Sequence, residues 1–127
     1  MSDHMIMYDT VAYLETTDFD GGMLKPSLAD KKLYVVMIFS SNCGHCKVAM
    51  PEYKKMADSM KDDNVVIACI ENNGSKPTEK GWKFDEIVKG FKGFPTIVAF
   101  KGGKIVDTFQ GGERSSKKLT EFVQKNK

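Results

Sequence analysis

The sequence predicts an α/β domain, a central mixed β-sheet flanked by helices on both faces. Two apolar runs with strand character, Leu33–Phe39 and residues 64–70, are separated by a segment whose apolar residues recur every three or four positions. Two further strand-like runs flank Gly102-Gly103, the mark of a hairpin, and the chain closes on another helical pattern. Strands linked through helices pair in parallel and need cover on both faces, while a hairpin adds antiparallel pairing, so the sheet is mixed.

Each element follows from its residues. Residues 1–10 read as a poorly ordered extension, and a single domain occupies residues 11–127, because no repeat, low-complexity tract or linker interrupts them. Val11-Ala12-Tyr13-Leu14 is a short first strand, broken by Thr17-Asp18-Phe19 and by Gly21-Gly22. Residues 23–31 are expected to hold a short helix with Pro26 in its first turn, the one helical place where proline fits. Leu33–Phe39, with Val35 and Val36, is apolar throughout, as a strand buried on both faces must be.

From residue 46 to about residue 61, Met50, Tyr53, Met56, Ala57 and Met60 make one apolar stripe, with Lys54, Lys55 and Asp58 elsewhere. Pro51 lies inside this helix and is expected to kink it. Residues 64–70 form a second buried strand, in which Cys69 reads as a small buried apolar residue and not as a redox group. Residues 72–83, polar and containing Gly74, Pro77 and Gly81, are a loop, and residues 84–88 one or two helical turns ended by Gly90. Residues 96–100 and 104–109 make the hairpin. Ser115 or Ser116 caps a last helix whose Leu119, Phe122 and Val123 share a face. The order is β-α-β-α-β-α-β-β-α.

Composition narrows the function classes. The 127 residues suffice for one real core, and 41% apolar with 28% charged content is ordinary for a globular protein. A net charge of +2 from 19 basic and 17 acidic residues predicts neither nucleic acid nor a membrane surface as partner. Lys117, Lys118, Lys125 and Lys127 fit a solvated helix face. No stretch approaches the roughly 18 apolar residues of a membrane span. Residues 1–10 lack a basic region followed by an apolar one, and Gln124-Lys125-Asn126-Lys127 is no retrieval signal, so a cytoplasmic location is expected. A trimmed leader would place the chain in the endoplasmic reticulum lumen instead. The eight methionines read as core fillers and amino-terminal residues, not a metal box.

Three cysteines, at 43, 46 and 69, cannot make a disulfide framework, and Cys43-Gly44-His45-Cys46 between a strand and a helix suggests catalysis or metal. Zinc needs four ligands in workable positions. Here His45 lies between the two thiols and Cys69 inside a strand, so no metal site is expected. Haem attachment needs His directly after the second cysteine, where Lys47 stands. Two thiols at a helix start form an easily reversed disulfide, and the helix N-terminus favours the attacking thiolate.

Cys43-Gly44-His45-Cys46-Lys47 resembles the active-site motif of protein disulfide isomerase domains, which have a thioredoxin fold. Pro51, five residues beyond the second cysteine, matches the helix-kinking proline of that fold. Gly93-Phe94-Pro95-Thr96 resembles its cis-proline segment, and Gly112-Glu113-Arg114-Ser115 another stretch common in these domains. The resemblance covers nearly the whole chain. It implies that Cys43 is the nucleophile and Cys46 the more buried resolving thiol, with His45 stabilising the Cys43 thiolate. It further implies that Pro95 packs against the cysteine pair, leaving the backbone of Phe94 to bind an extended substrate strand. Thioredoxin proper has proline at the position of His45. On a general scale the two family poises differ by about 90 mV, or roughly 4 kcal/mol, with the isomerase type the stronger oxidant.

Three positions depart from the family pattern. Asn42 stands where tryptophan is usual and alters the substrate-facing surface; Met37 stands where a buried acid usually takes the proton of the second cysteine. Release of mixed disulfides is therefore expected to be slow. The loop at residues 72–83 is longer than the family needs and should emerge at the active-site edge, where Trp82 lines a substrate groove or anchors the loop on the core.

The first reading is a thiol–disulfide oxidoreductase of the disulfide isomerase type, acting on protein thiols and disulfides as a monomer without cofactor. Its recharging partner would be a flavin-dependent thiol oxidase, a thioredoxin reductase or glutathione. A thioredoxin-like cytosolic reductant, and a binding module with incidental redox activity, are the alternatives. Some large DNA viruses encode short, leaderless proteins resembling this one, which makes a virion a further possible setting.

Overall fold

The computed structural model describes residues 10–20, 22–25, 32–40, 44–71, 93–110 and 112–127. Within them the strands are β1 (Ala12–Tyr13), β2 (Phe19–Asp20), β3 (Met23–Leu24), β4 (Leu33–Phe39), β5 (Val65–Glu71), β6 (Thr96–Lys101) and β7 (Lys104–Thr108). The helices are α1 (Gly44–Ser59) and α2 (Ser116–Asn126), with a 3-10 turn at Thr16–Asp18. Five strands form one sheet in the order β1-β5-β4-β6-β7, and β2 and β3 form a separate pair.

β4 lies at the centre and all seven of its residues are buried. It runs parallel to β5 from Leu33↔Val65 to Phe39↔Glu71, and antiparallel to β6 from Leu33↔Lys101 to Ile38↔Thr96. Alternate residues therefore feed two cores. Val35, Met37 and Phe39 face the side covered by α1 and α2; Tyr34, Val36 and Ile38 face the side that includes Phe19 and Leu24. The hairpin turns through Gly102 and Gly103, both at positive φ (63° and 84°), a two-residue turn that matches the twist of its strands.

The helical expectation for residues 23–31 is corrected where the chain is described. Met23–Leu24 is a strand paired with Phe19–Asp20, and the Leu24 N–H donates to the Gly103 carbonyl at 3.0 Å. Phe19 and Leu24 are thereby both buried, a gain that a helix begun at Met23 would forgo. Residues 26–31, the helix expected at 84–88, the 72–83 loop and the extension at 1–9 lie outside the described residues.

α1 buries Cys46, Ala49, Met50, Tyr53, Met56 and Ala57, the three-and-four spacing extended one turn back to Cys46. Tyr53 is fully buried, and its hydroxyl lies 2.9 Å from the Val35 carbonyl and 2.8 Å from that of Ala68, sharing one proton between β4 and β5. Burial raises its pKa well above the ordinary tyrosine value, so it remains a donor. At the other end, Ser115 caps α2 by accepting from the Lys118 N–H, and Glu52 Oε1 accepts from the Ser116 N–H at 2.8 Å. α1 thus carries one of the partners of α2's N-terminus.

Two outcomes follow for stability. Tyr53→Phe removes the hydroxyl from which both carbonyls accept and should cost about 1–2 kcal/mol, read as a lower urea midpoint at unchanged m-value; no change would contradict this role. Asp58 (held by Lys54, then Thr10), Asp62 (by the Asn64 N–H, then Lys127) and Asp107 (by Asn126, then Lys125) all have lowered pKa values. A depressed carboxyl stabilises fully above its unfolded pKa, about 4, and loses that contribution as pH falls through its lower folded value. The urea midpoint should therefore decline below about pH 4, and less steeply in Asp107→Asn.

Candidate active site

The registers of β4 bring the site together. Phe39 lies opposite Glu71 and Ile38 opposite Thr96, so the ends of β4 and β5 and the start of β6 share one edge of the sheet. The chain enters α1 from that edge. β5 ends at Glu71 on the same edge. Pro95 directly precedes β6, so the topology places it at the same edge.

α1 starts at Gly44, two residues earlier than the apolar stripe marks it, and this puts His45 and Cys46 in its first turn. Cys46 has no exposed surface and belongs to the core of Met37, Phe39, Ala49 and Met50; His45, one residue away, is exposed. The Ser40 N–H, one residue beyond β4, points to Cys46 Sγ at 3.5 Å. A buried thiol and an exposed imidazole thus sit on one helical turn, where the dipole favours negative charge.

Met37 is fully buried in the same core, paired across the sheet with Cys69 and Ile97. Among the described residues no charged side chain is buried. The described side chains that share this core with Cys46 are apolar ones such as Met37, Phe39, Ala49 and Met50. Cys69 faces that core too, and burial followed by the Glu71 charge pushes its thiol well above the ordinary range. A thiol so held stays protonated, in keeping with its reading as a packing residue.

The Phe94–Pro95 peptide is cis. Pro95 is buried, Phe94 packs against both cores, and Thr96 Oγ1 donates to the Gly93 carbonyl at 2.6 Å. Gly93 has φ of 140°, which a residue with a side chain rarely adopts. A surface groove of about 560 Å³ is lined by residues that include His45, Val48, Ala49, Glu52, Glu113 and Arg114. Val48, 75% exposed beside the buried Cys46 face, is an apolar side chain presented to anything that docks there.

Of the residues singled out from sequence, Gly44, His45, Cys46, Phe94 and Pro95 are described, whereas Asn42, Cys43 and Trp82 lie outside the described residues. Ser40 and Glu52 escaped the sequence reading. Ser40 acts through its backbone, which leaves no mark on residue type. The acid following Pro51 is recognisable as a cap only once α2 lies beside it. Among the described residues no cluster of three or more His, Cys, Asp or Glu could hold a metal ion.

Comparison with known proteins agrees with this arrangement. A family model described as Thioredoxin matches residues 10–125. A putative thioredoxin-like protein of Invertebrate iridescent virus 6 is 35% identical over 99 residues, covering 67% of this chain and 71% of its own. A protein disulfide-isomerase A6 homolog of Drosophila melanogaster is 35% identical over 113 residues, covering 89% of this chain but only 23% of that protein. The chain thus spans about a quarter of that relative's length. Among solved structures, the first thioredoxin domain of mouse protein disulfide-isomerase A4 aligns over 91% of this chain and 74% of its own, with 30% identity and a TM-score of 0.63. Thioredoxin f from spinach chloroplast, at 22% identity, shares the fold with a TM-score of 0.68 over 94% and 95% of the two chains.

A Cβ built on Gly44 meets no atom within 4 Å, so the backbone there does not require glycine. Gly44→Ala should keep the fold and stabilise it by about 0–1 kcal/mol through helix propensity, measured by urea unfolding. A loss of stability would show that this first turn is more crowded than described.

Proposed function

The chain belongs to the thioredoxin family and carries its thiol–disulfide oxidoreductase chemistry, and from that premise we propose that a Cys43/Cys46 dithiol acts here on protein disulfides in the manner of a disulfide isomerase domain. The observation that carries this reading is Cys46, buried in the first turn of α1 beside the exposed His45 at the edge where β4 ends. That turn offers the positive end of a helix to the residue before it in sequence, Cys43, and supports Cys43 as the low-pKa thiol.

In the proposed cycle the Cys43 thiolate attacks one sulfur of a substrate disulfide. The substrate S–S bond breaks, its other sulfur leaves and takes a proton, and a Cys43–substrate disulfide remains. Cys46 then bonds to the Cys43 sulfur, the Cys43–substrate bond breaks, and the second substrate sulfur departs as a thiol. Run in reverse, from the Cys43–Cys46 disulfide, the same steps oxidise a substrate dithiol. Phe94 beside Pro95, with Asn42 and Trp82, forms the proposed substrate contact, and a thiol oxidase, a reductase or glutathione resets the pair.

Cys46→Ala should accumulate mixed disulfides on Cys43 that run as reductant-sensitive adducts, and Cys43→Ser should abolish them. Equal trapping by both variants would remove Cys43 as the nucleophile. Met37→Glu places a carboxyl in the core of Cys46 and should speed mixed-disulfide release in single-turnover kinetics, at a cost of about 2 kcal/mol or more in stability. An unchanged release rate would mean that position 37 does not limit the step.

A further inference from the structure

We propose that the backbone N–H of Ser40 is the group that stabilises the Cys46 thiolate while a mixed disulfide is resolved, in a pocket where Met37 supplies no acid–base partner. This rests on the dithiol reading above and names a residue for its second step. That step balances as follows: Cys46 gives up its proton, its sulfur bonds to Cys43, and the Cys43–substrate bond breaks. The substrate sulfur leaves with that electron pair and takes up a proton, so thiol and disulfide exchange without another reactant.

The step is difficult because Cys46 is fully buried, and ionising a buried thiol is costly. Cys69, on the same face of the sheet, shows the direction: burial drives its thiol well above the ordinary value. Among the described residues, the titratable groups on this side of the sheet are Cys69 and the half-buried Glu71 from β5, Tyr53 from α1 and Tyr13 from β1, while α2 contributes Leu119, Phe122 and Val123. A phenol holds its proton more tightly than a thiol, so neither tyrosine serves as base, and among the described residues no carboxylate is buried.

The Ser40 amide is placed to help. The β4–β6 ladder ends at Ile38↔Thr96 and the β4–β5 ladder at Phe39↔Glu71, so Ser40 is the first residue beyond both. Its N–H meets Cys46 Sγ at 3.5 Å. A hydrogen bond strengthens when its acceptor becomes charged, so this donor favours thiolate over thiol and adds to the first-turn dipole of α1. Being backbone, it survives any change of side chain at position 40 except proline.

Two measurements test it. In Cys43→Ser protein labelled with 15N and 13C, the Ser40 amide proton should move downfield with the same pH midpoint as the Cβ of Cys46. A silent amide while Cys46 ionises, or a Cys46 that stays protonated to about pH 10 (well beyond a free thiol's pKa), overturns the proposal. In the otherwise intact chain, an amide-to-ester replacement at Ser40 should slow resolution of a Cys43 mixed disulfide about tenfold, while Ser40→Ala resolves at the wild-type rate. An unslowed ester variant overturns it as well. Wild-type protein that forms no mixed disulfide at all overturns the dithiol reading itself, and this proposal with it.

Discussion

β4 is hydrogen-bonded along its length to β5 on one side and β6 on the other, and that double pairing sets the position of every described site residue. Because both faces of the strand are buried, a slip of one residue would turn Met37 and Phe39 out of one core and Val36 and Ile38 out of the other. The register is therefore fixed strongly. With it are fixed the point where Ser40 leaves the sheet, the entry into α1, and the place of Pro95 before β6. Tyr53 adds a cross-link, spanning from α1 to carbonyls on both β4 and β5.

This frame divides the first turn of α1 chemically. His45 reaches solvent, and Cys46 lies in a core with no buried charge among the described residues. In the proposed cycle, attack by Cys43 and resolution by the buried Cys46 thus face opposite demands. The first benefits from solvent, the helix dipole and an imidazole. The second must create charge on an apolar floor built partly by Met37, where fixed backbone dipoles are the available compensation. In the proposed cycle resolution is then the slow step, which bears more on release of trapped substrates than on their capture.

Much of this was legible in the residues because burial and periodicity are local signals. The Met50, Tyr53 and Met56 stripe, the continuous run of β4, the Ser115 cap and the apolar character of Cys69 all follow from residue type and spacing. What stayed hidden depends on partners distant in sequence or on atoms common to every residue. Met23 and Leu24 look able to begin a helix until the Gly103 carbonyl arrives to take the Leu24 N–H. Gly44 and His45 precede the stripe, and an N-terminal turn carries no packing pattern to announce it. Glu52 becomes a cap only when α2 lies across α1, and the Ser40 amide is invisible in any sequence.

In the proposed function Cys43 and Cys46 form a redox pair poised by His45 toward oxidation, and the reduction potential of that pair decides it. Equilibration with glutathione buffers, read by thiol alkylation and mass, should give a two-electron midpoint near about −180 mV. A midpoint near about −270 mV would contradict the oxidising poise and make the protein a reductant. A pair that never forms a Cys43–Cys46 disulfide in any buffer would contradict the dithiol assignment altogether.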